Sequence, residues 1–135
     1  MIHLDTSFVV DYMREVSRKR VGPASAFLEC LPDDEELGIS VFVLCELHSG
    51  AEQSPRPGAE RRRIEEVCAL LHVEFPDNDS AVTYGRLLAS ISRKKQTIST
   101  MDLLIGTAAV QAHCRLVNRN IKDFSKVPGL KSVGY

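Results

Sequence analysis

No apolar run in this 135-residue chain approaches the about 20 residues that a membrane-spanning helix needs, so no membrane role is expected. The start of the chain lacks a basic segment ahead of an apolar one, and Asp5 falls where that apolar stretch would begin. A secretory signal is therefore not expected, and the expected location is cytoplasmic. CxxC spacing is also missing. The four cysteines, Cys30, Cys45, Cys68 and Cys114, lie far apart, which argues against a zinc ribbon or a disulfide framework. Buried free thiols in a reducing compartment are the expectation. His3, His48, His72 and His113 form neither an HxH nor an HExxH pattern, so a zinc site is not expected. Neither GxxxxGK[ST] nor GxGxxG occurs, which removes the glycine-rich phosphate and dinucleotide cradles. Internal repeats and low-complexity segments are absent too.

What is present is a chain of one-domain size, 1–135, with 44% apolar residues, enough for a real core. The net charge of −1 does not announce a nucleic-acid binder. The charges are nonetheless clustered. Basic triplets stand at Arg18-Lys19-Arg20, Arg61-Arg62-Arg63 and Arg93-Lys94-Lys95, and Arg119, Lys122 and Lys126 follow later. Asp33-Asp34-Glu35-Glu36 forms an acidic run. Taken one at a time such runs read as solvated surface; gathered around an acidic pocket, the basic ones would guide phosphate.

Strand-like and helix-like segments alternate. A strand from Met1 to Leu4 precedes a helix over Phe8 to Met13, and Pro23 opens a helix over Ala24 to Cys30. Gly38 to Ser40 ends a second strand, with Ser40 as N-cap for a helix from Val41 to Gly50. Pro55, Pro57 and Gly58 mark a connection, followed by a helix from Ala59 to Leu71 and a strand from His72 to Phe75. Asp77 or Asn78 caps a long helix to about Ser92 whose apolar face is Ala81, Tyr84, Leu87, Leu88 and Ile91. A small-residue helix from Thr100 to His113, a strand at Arg115 to Val117, a short helix near Asp123 and a strand near Lys131 to Val133 complete the chain. This alternation predicts an α/β fold of three layers, helices on both faces of a mostly parallel sheet of four to five strands.

In such folds ligands bind at the carboxyl ends of the strands. Four apolar runs are each interrupted by an acid or amide: Asp5 in MIHLDTS, Glu46 in SVFVLCELHSG, Asp102 in TMDLLIGTAAV and Asn120 in RLVNRNIKDF. Each has a local alternative. Asp5 can cap the helix that follows, beside Thr6 and Ser7; Asp102 can complement a helix dipole; Asn120 suits a turn; Glu46 can lie on a helix surface. Asp123 reads as a cap of the short helix. Together the four carry a stronger implication. Carboxylates in apolar surroundings cost several kcal/mol unless a cation meets them, and Mg²⁺ or Mn²⁺ prefers oxygen donors.

The segments LDTS, ISVFVLCELHSGA, DLLIGTAA and LVNRNIKDFSKVPGL, in that order and at those intervals, resemble the PIN-domain ribonucleases, most closely the VapC-type toxins of bacterial toxin–antitoxin pairs. The resemblance covers essentially the whole chain. It implies that Asp5, Glu46 and Asp102 are the catalytic acids, with Asp5 and Asp102 the main metal ligands and Glu46 binding directly or through water. Asn120 falls on the fourth position, often Asp and often Asn, where it orients water or completes the outer shell. Gly106 departs from the alanine common in the family, and DTS from DTN leaves Ser7, with Thr6, as the side chains behind the ligands. The implied activity is Mg²⁺- or Mn²⁺-dependent endonucleolytic cleavage of RNA, by in-line attack leaving a 5′-phosphate and a 3′-hydroxyl. Arg119, Lys122 and Lys126 become substrate-guiding candidates. The implied partners are RNA, an antitoxin protein and a second copy in a homodimer. The alternative is a PIN-like module that binds RNA or protein and hydrolyses nothing. A haloacid-dehalogenase-type phosphatase would need an Asp at Ser7, and a receiver domain a Lys where Arg119 stands.

Overall fold

The computed structural model describes residues 1–135. Its twelve elements are β1 (Ile2–Leu4), α1 (Thr6–Ser17), α2 (Pro23–Glu29), β2 (Leu37–Ser40), α3 (Val41–Glu52), α4 (Pro57–Cys68), β3 (His72–Glu74), α5 (Asn78–Arg93), α6 (Thr100–Gln111), β4 (Arg115–Val117), α7 (Ile121–Phe124) and β5 (Lys131–Val133). Prolines at first helical positions, where a missing N–H costs nothing, open α2 and α4. Ser40, Asp77 and Ser99 cap α3, α5 and α6, each accepting from a backbone N–H of the first turn. Asp77 and Ser80 form a reciprocal capping box, which decides between Asp77 and Asn78.

All five strands are parallel, in the order β3-β2-β1-β4-β5. The chain first steps outward from β1 to β2 and β3, then crosses back to β4 on the other side of β1. Right-handed crossovers therefore put α1 to α4 on one face and α5 to α7 on the other. The direction reverses between β1 and β4, and the chain leaving those two strands carries Asp5 and Asn120. The main core gathers Ile2, Leu4, Phe8, Ile39, Val43, Ile105, Leu116, Val117 and Phe124 around the sheet. A smaller one packs Leu87 and Ile91 of α5 on Leu103 and Val127.

Several expectations need correction. Helix α1 begins at Thr6, because the chain turns directly at Asp5. Pro57 and Gly58 lie inside α4, so the connection there is shorter than expected. Of the face proposed for α5, Leu87 and Ile91 are buried while Ala81 and Leu88 are exposed. The four cysteines are free thiols, but Cys30, at the residue that follows α2, and Cys45, on α3, are exposed. No helix is long and apolar enough to cross a membrane.

Candidate active site

Strand β1 ends at Leu4 and its ladder continues one residue further, where the Asp5 N–H donates to the Val117 carbonyl at 2.9 Å. That bond anchors Asp5 beside the end of β4 with 6% of its surface exposed. Asp5 occupies the N-cap position of α1, yet its side chain makes no well-formed capping hydrogen bond. Instead its carboxylate accepts from the Ser7 hydroxyl at 2.8 Å. Burial pushes its pKa up from the usual carboxylate value; hydrogen bonds from Ser7 and the first-turn amides oppose this, and the charge of Asp102 adds to the rise.

Glu46 lies in the second turn of α3, half-buried, and its carboxylate accepts from the Thr6 hydroxyl at 2.6 Å. Consecutive residues Thr6 and Ser7 thus each hold one acid. Asp102 stands in the first turn of α6, where its N–H donates to the Ser99 cap at 3.1 Å. Burial raises its pKa, Ser99 opposes, and the charge of Asp123 adds to the rise. Asn120 sits at the start of α7. Its side-chain amide donates to Asp123 at 2.8 Å and makes a long contact of 3.5 Å to Asp102.

Asp123 is the residue that sequence reasoning undervalued. It does not cap α7, whose N-cap position belongs to Asn120. Its carboxylate accepts from Asn120 and from the Lys126 ammonium at 2.9 Å, and these bonds hold its pKa below the usual range. The signal was the three-residue interval from Asn120 to Asp123, which puts both on one side of a helical turn. Asn118 was also missed. It is fully buried, and its amide joins the Leu116 carbonyl and the Ser132 hydroxyl, tying β4 to β5 under the site.

The basic candidates separate clearly. The Arg119 guanidinium is paired with Asp11 at 2.9 Å, and Lys126 donates to Asp123 and to the Thr97 carbonyl at 2.8 Å. Lys122 is exposed with no ion pair. In the α4 triplet, Arg61 pairs with Glu52 and Arg63 with Glu60.

Asp5, Asp102 and Asp123 therefore form a line of acids in which Asp102 raises the proton affinity of Asp5 and Asp123 that of Asp102, with Glu46 joined through Thr6. The donors on Asp5, Glu46 and Asp102 are neutral, and the one cation in the group sits on Asp123. An all-oxygen set with uncompensated charge fits a hard divalent ion. No three acidic, histidine or cysteine side chains stand close enough to share one ion directly. That suits Mg²⁺-like binding through one or two carboxylates, with waters and substrate phosphate filling the rest. A cavity of about 780 Å³ lies elsewhere, between α3, α5 and α6, lined by Phe42, Phe75, Tyr84 and Leu104. A narrower groove of about 320 Å³ between α1, α3 and α4 begins at Glu46.

Ribonuclease VapC2 of Rickettsia felis is 29% identical to this chain over 103 residues, 76% of the chain and 77% of that protein. The tRNA(fMet)-specific endonuclease VapC of Salmonella typhimurium is 29% identical over 93 residues, covering 69% and 70% respectively. Among solved structures, VapBC2 from Rickettsia felis bound to a DNA fragment from their promoter matches with a TM-score of 0.89 at 26% identity, over 100% of this chain and 99% of that one. The model of the PIN domain matches residues 2–130, nearly the whole length, and the chain belongs to the PIN domain family.

Proposed function

We propose that this chain is the endoribonuclease toxin of a VapBC-type toxin–antitoxin pair, hydrolysing RNA phosphodiester bonds with Mg²⁺ or Mn²⁺. The observation that carries the reading is the proximity of buried Asp5 and half-buried Asp102, two acids that no cation neutralises. PIN-domain nucleases of this kind depend in general on a divalent metal. Asp5 and Asp102 are the residues to hold it, with Glu46 at its margin. When bound, the ion neutralises phosphate charge and lowers the pKa of water from 15.7 toward about 7.

The protein's own groups do the rest. Ser7 and Thr6 fix the rotamers of Asp5 and Glu46, so both carboxylates are oriented before substrate arrives. The Asn120 amide, held by Asp123, presents a neutral donor beside Asp102, where a fourth acid would add repulsion. Lys122 is free to meet the RNA backbone.

An antitoxin and a homodimer belong to the same reading. The groove between α1, α3 and α4, with Val10, Met13, Leu47 and Ala51 on its walls and Glu46 at its head, suits an apolar anchor followed by a basic side chain. Helices α3 and α4 supply most of its lining.

The test is incubation of purified protein with total RNA and Mn²⁺, mapping new 5′-phosphate ends, for wild type, Asp5→Asn and Asp102→Asn. Cleavage by wild type and none by either variant is expected. Melting temperature with and without Mn²⁺ separates the silent-module alternative, since an ion that binds only the folded state raises it. No Mn²⁺ shift and no cleavage would overturn the reading.

A further inference from the structure

Asp11 lies one helical turn beyond Ser7, on the same side of α1. Its side chain is largely shielded, and one carboxylate oxygen pairs with the Arg119 guanidinium at 2.9 Å and accepts a hydrogen bond from the Tyr135 hydroxyl at 2.7 Å. The Tyr135 ring stands edge-on to the buried Phe8 ring at 4.7 Å, so the hydroxyl arrives on a rigid arm. Burial and the Asp11 carboxylate push the Tyr135 pKa well above its ordinary value, so it stays a donor at physiological pH. Arg119 is bound to the same helix a second time. Its backbone N–H reaches the Ser7 hydroxyl at 3.4 Å, and that hydroxyl donates to Asp5. The next residue is Asn120.

We propose that Asp11 and Tyr135 are positioning residues for the metal site, holding Arg119 so that the loop after β4 fixes Ser7 against Asp5 and Asn120 against Asp102. Two observations separate this from a purely structural ion pair. The network ends on an acid of the site at one side and on the site's amide at the other. Asp11 also occupies the Arg119 guanidinium, which makes Arg119 a fastener rather than a phosphate guide. Deletion of a side chain that directly supports a ligand commonly costs about 10–100-fold in metal affinity or activity. Asp11 and Tyr135 act one contact further out, so about three- to tenfold is expected here.

The inference rests on the nuclease reading for its metal arm only. The variants are Tyr135→Phe, which keeps the ring on Phe8 and removes the hydroxyl, Asp11→Asn, Arg119→Ala and Arg119→Lys. Mn²⁺ affinity by calorimetry and the split between kcat and KM on an RNA substrate are measured in each. Tyr135→Phe, Asp11→Asn and Arg119→Ala are expected to weaken Mn²⁺ binding and lower kcat with KM unchanged. Arg119→Lys recovers most of the loss, and the Asp11→Asn/Arg119→Ala double variant is no worse than either single one, because the three act as a unit. In metal-free protein, the side-chain amide resonances of Asn120 shift toward those of an unrestrained amide in the same three variants. That arm needs no metal: a wild type that binds no Mn²⁺ but shows these shifts overturns the nuclease reading and leaves the latch standing. Variants with unchanged Asn120 resonances and Mn²⁺ affinity, or with only a lower melting temperature, overturn the latch. Tighter RNA binding by Asp11→Asn, with kcat intact, also overturns it and returns Arg119 to phosphate guidance.

Discussion

Asp5 has a folded-state pKa above its ordinary value, and the sign of that shift has a consequence for stability. Between the unfolded and folded values the native chain binds more protons than the unfolded one, so metal-free stability falls as pH rises through that window and stays lower above it. Asp5→Asn removes the loss. In chelator, its melting temperature should match wild type in acid, then exceed it increasingly as pH climbs past the usual carboxylate range. Thermal melts across pH check this, and an advantage that is constant with pH would deny the charged origin. Added Mn²⁺ should reverse the order. At this scale Asp5, Glu46, Asp102 and Asn120 were legible because each breaks an apolar run. Asp123 was not, since an acid in the first turn of a helix carries two readings and only the placement of Asn120 and Lys126 chooses between them. Arg119 read as a free cation for a related reason: its partner is Asp11, over a hundred residues away in sequence, whereas the pairing of Lys126 with Asp123 is a three-residue spacing that the sequence does contain.

Helix ends show where local preference and structure part. The residue after the C-cap of α1, α5 and α6 is Lys19, Lys95 and His113, all with φ between 52° and 55°, a conformation costly for side chains. His113 is exposed, so His113→Gly removes the strain without losing packing and should stabilise the protein by about 1 kcal/mol. Gly85 presents the opposite case. It is exposed inside α5, and a methyl group there meets nothing within 4 Å. Gly85→Ala should add about 0.5–1 kcal/mol through helix propensity. Denaturant midpoints check both. The helices were legible through prolines, caps and periodicity. Their ends were less so, because Pro57 and Gly58 read equally as a connection and as a first helical turn. The outer face of α5 misled because Leu88 follows the apolar spacing without a neighbour to cover it.

For the whole molecule, a net charge of −1 leaves RNA binding to local cations. Of Arg119, Lys122 and Lys126, only Lys122 has an unpaired charged group. Replacing all three by glutamine should then reduce the salt slope of RNA binding, measured in Ca²⁺ to suppress cleavage, by about 0.7, the value for a single phosphate contact on a single strand. Lys122→Gln alone should give the same change, and a loss three times larger would mean that the paired cations are released when RNA arrives. The topology carries a last consequence, for the order of events in the cell. Strand β1 emerges first, but β4, which supplies the Val117 carbonyl that anchors Asp5, is among the last parts made. Translation adds about 5–20 residues each second, so for several seconds the nascent chain carries Asp5 and Glu46 without the elements that complete the pocket. On the function proposed above, a growing chain is inactive, because its acid site is still incomplete. The arrangement of Asp5, Asp102 and Asp123 can form only after synthesis has passed Asp123, which places the onset of any metal-dependent chemistry at the end of translation.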